Sequence, residues 1–348
     1  MRHVGLFLEE LREGANERDF FRELTDTVDA SEAWGLDGIW LGEIHFLPSR
    51  SILSSPLITA ATLMPRTKRM CFGTAVHLLP LRHPLSVAED VATLDHMSGG
   101  RFELGIGRSG SPRSYNVLGI SYEESQARLM ESLAIMREAW KGKPFSYRGE
   151  FWQVDNAVVA PHPIQQPHPP VRIAALNPQS FTRAAELGLH IFVGLRGTDI
   201  SILRGHIEGY QKTWRAHGHH GQGSVYLRIP LYAAATEAAA IEESKESVMF
   251  YFRRQSQMAR EGTGSGTTTT GQRLAQADVL AVISHEHILK ERVVIGSPAS
   301  LTARLKELRQ ELSLDGIIVE PNPGGKIPEP LMMQSLKLLA REVAPALR

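Results

Sequence analysis

Eight short apolar runs punctuate the 348 residues, and longer stretches of helical period separate them. The runs are Val4–Leu8, Gly38–Leu41, Met70–Val76, Phe102–Ile106, Val171–Ala175, Ile191–Val193, Val225–Tyr232 and Gly316–Glu320. Most are apolar throughout rather than alternating, as strands of a parallel sheet covered on both faces must be. Between them, apolar residues recur at spacings of three and four, which set them on one helical stripe. Phe20, Leu24 and Val28 form one such stripe, and Leu129, Leu133, Met136 and Trp140 another. Leu301, Leu305, Leu308 and Leu312 form a third, and Met332, Leu336, Leu339 and Val343 a fourth.

A local pattern repeats where helix gives way to strand. Trp34-Gly35-Leu36-Asp37-Gly38, Leu187-Gly188-Leu189-His190-Ile191 and Leu312-Ser313-Leu314-Asp315-Gly316 each close a helix and open a strand. Recurrent junctions with eight strands favour a (β/α)8 TIM barrel over a doubly wound sheet. No linker divides the chain, so residues 1–348 are expected to form a single domain, with insertions after the fourth and seventh strands. The first insertion, 141–170, reads as a hairpin about Tyr147–Phe151 and then an extended Pro/His-rich crossing. The second, 261–271, is Gly/Thr-rich, cannot pack a core, and is expected to be a mobile loop over the barrel mouth.

Composition narrows the class. The chain is 42% apolar and 22% charged, ordinary values for a folded globular protein. Its 38 Lys and Arg balance 38 Asp and Glu, so it lacks the basic footprint of a nucleic-acid binder. A single cysteine, Cys71, excludes a disulfide within the chain and a cysteine-based metal site. Val4–Leu8 runs straight into Glu9 and Glu10, which is no signal peptide, and no run approaches a membrane span. The expectation is a cytoplasmic enzyme without a metal: the fourteen histidines make no H-E-x-x-H or H-x-H pair at a strand end.

In such a barrel the chemistry sits just beyond the strand C-termini. After the second strand come Glu43 and His45, a carboxylate and an imidazole that could bind a polar ring or shuttle a proton, or simply bond each other. After the fourth comes Gly105-Ile106-Gly107-Arg108-Ser109-Gly110. It is formally a dinucleotide fingerprint, but Ser111-Pro112-Arg113 follows and helical period resumes only near Tyr122, so that reading fails. The glycines would instead let backbone approach a ligand, with Arg108 turned to an anion. After the fifth, Asn177-Pro178-Gln179-Ser180 opens a helix whose free N–H groups would face the mouth. That is either a phosphate site or ordinary capping.

The segment Ala88–Arg108, containing Asp95-His96-Met97-Ser98-Gly99-Gly100-Arg101-Phe102, closely resembles the signature of the bacterial luciferase-like, flavin-dependent monooxygenases. Trp40–Phe46 resembles that family's second-strand motif, Gly73–Val76 through His83-Pro84 its third-strand motif, and Gly296-Ser297-Pro298 its C-terminal unit. The resemblance implies a TIM-barrel monooxygenase that uses reduced FMN from a separate reductase, and O2, through a C4a-peroxyflavin. It also implies a non-proline cis peptide at Ala75–Val76, so that Thr74, Ala75, Val76 and Gly107 line the flavin ring. Phosphate contacts would come from Arg108, Arg128, Asn177, Gln179 and Ser180, and the chain would be a homodimer. His45 is the candidate for moving a proton or stabilising the peroxide, with Glu43 orienting it or the ring. Phe46, Leu47 and Tyr115 suggest a partly apolar substrate pocket.

The sequence departs from the luciferases at two points: the first of their two histidines is Ile44 here, and a cysteine near their flavin is Gly107. Both count against light emission from an aldehyde rather than against monooxygenation. A deazaflavin (F420)-dependent oxidoreductase on the same barrel, and a non-catalytic flavin-binding protein, are the alternative readings.

Overall fold

Each of the eight apolar runs forms a parallel strand. They are β1 (His3–Leu8), β2 (Gly38–Leu41), β3 (Cys71–Thr74), β4 (Phe102–Gly107), β5 (Val171–Ala174), β6 (His190–Gly194), β7 (Val225–Ala233) and β8 (Gly316–Glu320). The computed structural model describes Met1 and residues 3–261 and 270–348. Pairing proceeds in order around the ring, and β8 closes it by bonding both β7 and β1. This is the expected TIM barrel.

The helical stripes face the strands. Phe20, Leu24 and Val28 are buried on the helix Glu17–Trp34, and Leu301, Leu305, Leu308 and Leu312 along Pro298–Glu311 and its C-cap. With strands buried on both faces, the main core is the ring between sheet and helices.

The repeated junctions have a mechanical role. Gly35, Gly188 and Ser313 all take a positive φ, turning the chain out of its helix. Two residues later, Asp37, His190 and Asp315 each accept the first free N–H of a strand. Asp37 takes Val4 N at 2.9 Å, His190 Nδ1 takes Ser224 N at 3.1 Å, and Asp315 takes Val225 N at 3.0 Å. Burial, with Arg172 nearby, pulls His190 down to about 4, which leaves the neutral ring able to accept.

β3 is shorter than its apolar run. The ladder breaks after Thr74 and resumes at His77–Leu78, which pair with Ile106 and Gly107 of β4. Three residues, Thr74–Val76, thus oppose two, Leu104 and Gly105, forming a bulge at the mouth. The Ala75–Val76 peptide within it is cis.

Both insertions are built as excursions. Phe145–Arg148 pairs antiparallel with Gln153–Ala157, and an extended crossing leads on to β5. After β7 the helix Glu237–Glu261 lies across the ends of β8 and β1 and the loop after β2. Its Tyr251 reaches Glu320 at 3.1 Å, Arg254 reaches Glu10, and the Met258 sulfur accepts from Arg50 at 3.6 Å. The next helix begins at Thr270, and the lid expected over 261–271 falls largely at 262–269, outside the described residues.

Replacing Asp315 with Ala strands the Val225 N–H and should lower unfolding stability by about 1–3 kcal/mol. A urea midpoint that does not move would show that the junction does not pin the strand.

Candidate functional site

The Glu43 carboxylate is fully buried and holds an imidazole on each side. His45 Nε2 approaches Oε1 at 2.7 Å; His77 Nδ1 approaches Oε2 at 2.5 Å, where Leu78 N also donates at 3.2 Å. Burial alone would push the carboxyl up. The adjacent His77 and the hydrogen bonds from both rings outweigh it and hold Glu43 at about 2. His77 was not among the sequence candidates, although it directly follows the run Met70–Val76 read as the third strand. The bulge, which no residue pattern announced, turns it onto Glu43. Its Nε2 is buried with no partner among the described residues.

Across the bulge, Thr74 Oγ1 donates to Gly105 O at 2.7 Å and accepts Gly105 N at 3.1 Å. The two glycines of β4 are required by this contact. A Cβ at Gly105 would lie 1.9 Å from Thr74 O, and one at Gly107 would lie 2.4 Å from Val76 Cγ2. Val76 therefore packs directly against the bare backbone of Gly107.

Arg108 follows directly. Its Nη1 donates to Ser125 Oγ at 3.2 Å, its guanidinium sits 5.2 Å from the Tyr122 ring centroid, and among the described residues it has no carboxylate partner. The turn carrying it is held from behind: Tyr115 donates to Arg108 O at 2.5 Å and Tyr122 to Ser109 O at 3.1 Å. Tyr115, expected to line a pocket, is fully buried and serves this turn instead. It belongs to a short helix, Arg113–Leu118, that the sequence reading placed in irregular chain; six residues are too few to show a stripe. Phe46 is nearly half exposed beyond His45, at φ 57°, and Leu47 is half-buried.

The other anion candidates are differently placed. Arg128 donates to Glu124 at 2.9 Å and stacks on Phe151 of the hairpin, 4.4 Å from its ring centroid. Asn177 and Ser180 close a capping box on each other: Ser180 N donates to Asn177 Oδ1 and Asn177 N to Ser180 Oγ, both at 3.0 Å. Gln179 is exposed between them. Of this set, Arg108 is the cation that an incoming anion meets without competition from a carboxylate.

Residues 2–316 match the model of the luciferase-like monooxygenase family. The chain belongs to that family. A curated relative, the oxygenase component of the flavin-dependent trigonelline monooxygenase of Acinetobacter baylyi, is 28% identical over 253 residues, 70% of this chain and 68% of its own. Among solved structures, the oxygenating constituent of 3,6-diketocamphane monooxygenase from Pseudomonas putida, in complex with FMN, superposes with a TM-score of 0.81. It is 22% identical and 99% of each chain is covered. An F420-dependent secondary alcohol dehydrogenase superposes at 0.78, with 16% identity, over 100% of this chain and 99% of its own. At these identities the structural likenesses establish the shared barrel. Family and relatives together make the chain a flavin-dependent monooxygenase. Among the described residues no helix is long and apolar enough to cross a membrane.

The depressed Glu43 carboxyl adds stability above its unfolded value near 4.5, and that stability is lost as pH falls toward about 2. Glu43→Gln cannot ionise, so the gap in unfolding free energy between wild type and variant should narrow across that window. A gap constant from neutral pH to about pH 2.5 would contradict the ionised, doubly bonded carboxylate.

Proposed function

We propose that the chain is the oxygenase of a two-component system, taking reduced FMN from a separate reductase and inserting one atom of O2 into a small organic substrate. The observation that carries this reading is the β2–β4 side of the mouth. Bare backbone at Gly105–Gly107, a guanidinium at Arg108 without a carboxylate partner among the described residues, and a buried carboxylate–imidazole pair at Glu43 and His45 lie at the ends of β4 and β2. The residues fit a flavin: Arg108 for the phosphate, with Ser180 and Asn177 offering the helix start, and Thr74, Ala75, Val76 and Gly107 beside the ring.

Bound reduced FMN supplies the two electrons and the C4a carbon at which O2 is activated, the net change being substrate to oxygenated product and O2 to that product plus water. The chain does the rest. Thr74 and Gly105 fix the surface under the ring, and Arg108 anchors the cofactor's charged end. Glu43 holds the His45 ring by its Nε2, which leaves Nδ1 to take up a proton, and to donate it where negative charge develops on oxygen once the ring carries both protons. Two copies would pair through the helices after β2 and β3, where Ile58 and Met97 are exposed apolar residues on Pro56–Leu63 and Pro84–Ser98. A cytoplasmic setting, where the reductase works, completes the reading.

Oxygen uptake tests it. Uptake should follow addition of reduced FMN, and reduced F420 should be inert; the opposite preference would move the chain to the deazaflavin branch. Arg108→Ala should weaken FMN binding about tenfold or more, through loss of a charge-assisted contact, and Arg128→Ala less, because Glu124 already engages it. Equal losses would place the phosphate between the two arginines.

His45→Ala should keep FMN affinity within a few-fold and lower the product formed per reduced flavin, with hydrogen peroxide making up the difference. Unchanged coupling would make His45 a structural partner of Glu43 only.

A further inference from the structure

The other side of the mouth, across β6, β7, β8 and β1, carries a charge arrangement that the flavin reading does not use. Three carboxylates and three guanidinium groups pair there, with Arg50 also 3.8 Å from Glu10. Arg228 on β7 binds Glu320, at the end of β8, through two nitrogens at 2.8 and 3.0 Å. Arg50 binds Glu9, and Arg254 binds Glu10. Glu320 is saturated further by the Tyr251 hydroxyl at 3.1 Å.

A fourth guanidinium is left over. Arg196 stands two residues past the end of β6, half-buried, with no hydrogen bond or ion pair among the described residues. It is close enough to Glu320 and Tyr251 to pull both of them down electrostatically, so it lies with this cluster. Glu320 ends β8, the strand opposite β4 in the ring of eight, so the cluster lies across the mouth from Arg108. A half-buried cation beside three carboxylates that other guanidinium groups already engage keeps its donors unused at a cost in desolvation. Its planar fork matches a carboxylate or sulfonate.

We infer that the substrate is a small organic anion, and that Arg196 receives its carboxylate or sulfonate on the β6–β8 side of the mouth. This rests on the flavin reading of the β2–β4 side, which leaves the opposite side for the substrate. The group to be oxygenated then faces His45, and the charged group is held away from the site of chemistry.

Calorimetric titration tests it, with benzoate, benzenesulfonate and neutral benzamide as probes on the protein with and without FMN. At least one of the two anions should bind about tenfold more tightly than benzamide, and the tighter anion tells carboxylate from sulfonate recognition. In Arg196→Ala that preference should vanish while FMN affinity stays within about twofold, and Arg196→Lys should restore part of it. Among the described residues Arg196 holds no hydrogen-bonded partner that its removal would orphan, so the variant should melt within about 2 °C of wild type. Equal binding of benzamide, preference that survives in Arg196→Ala, or no binding of any probe at about 10 mM would overturn the inference. If Arg196→Ala instead loses FMN, the arginine serves the cofactor, and this inference fails while the flavin reading stands. If wild type binds no FMN, the flavin reading fails, and the titration without FMN still decides the anion preference.

Discussion

Glu43 is a carboxylate taken wholly out of water and kept ionised by two imidazoles, one on its own loop and one on the next. That bond ties the end of β2 to the bulge after β3, and the bulge in turn fixes how β4 may pass. With His77 held on Glu43, the chain re-pairs with Ile106 and Gly107, Thr74 bridges the gap to Gly105, and both glycines must lack a side chain. Arg108 emerges where β4 ends. Removing one ring would leave a buried carboxylate short of a hydrogen bond, which is costly, so this anchor admits few substitutions. On the near side, a Cβ at Gly42 would strike Glu9, so the same loop also packs against the ion pairs at the ends of β1 and β8.

Charge inside the barrel is organised in layers. Deeper in, Arg172 pairs with Glu103 at 2.8 Å and lies 3.6 Å from the Tyr226 ring centroid, among Trp40, Phe192 and His3. Burial and the nearby Arg172 pull His3 down to about 3, so it stays neutral there. At the mouth, Arg228 stacks 3.4 Å from the Phe7 ring centroid and clamps Glu320. Such pairs add little net stability over apolar packing, but they set orientation firmly. The helix Glu237–Glu261 uses them to dock, presenting Tyr251, Arg254 and Met258 on one face. The mouth thus has a side of bare backbone and imidazole and a side of guanidinium and carboxylate, which suits a flat cofactor and a charged partner lying against each other.

The barrel was legible because period decides it. Runs such as Gly38–Leu41 and Gly316–Glu320 are buried strands from end to end, and the repeated junctions at Gly35–Asp37, Gly188–His190 and Ser313–Asp315 marked where helices stop. Glu43 and His45 were legible as polar residues just past a strand. His77, just past the run Met70–Val76, stood in the same kind of place and was passed over, since nothing in the pattern shows that a bulge will turn it onto Glu43. The barrel's ion pairs did leave a signal. Glu103, Arg172, Arg228 and Glu320 are single charges inside otherwise apolar strands, which only a partner across the barrel can satisfy. The cap at Asn177 shows the opposite limit: its residue types suit both a phosphate site and a self-closed box, and the hydrogen bonds form the box. Arg128 entered only through the resemblance, as a phosphate contact, and nothing in the sequence announced its stacking on Phe151 of the hairpin.

The central claim is that reduced FMN occupies the β2–β4 side of this mouth. Crystals soaked with FMN under anaerobic, reducing conditions locate it directly. The account predicts density for the isoalloxazine ring over Ala75–Val76 and Gly107, with its phosphate against Arg108 and its edge within reach of His45. A flavin bound with its phosphate at Arg196, or bound outside the barrel mouth, would contradict it.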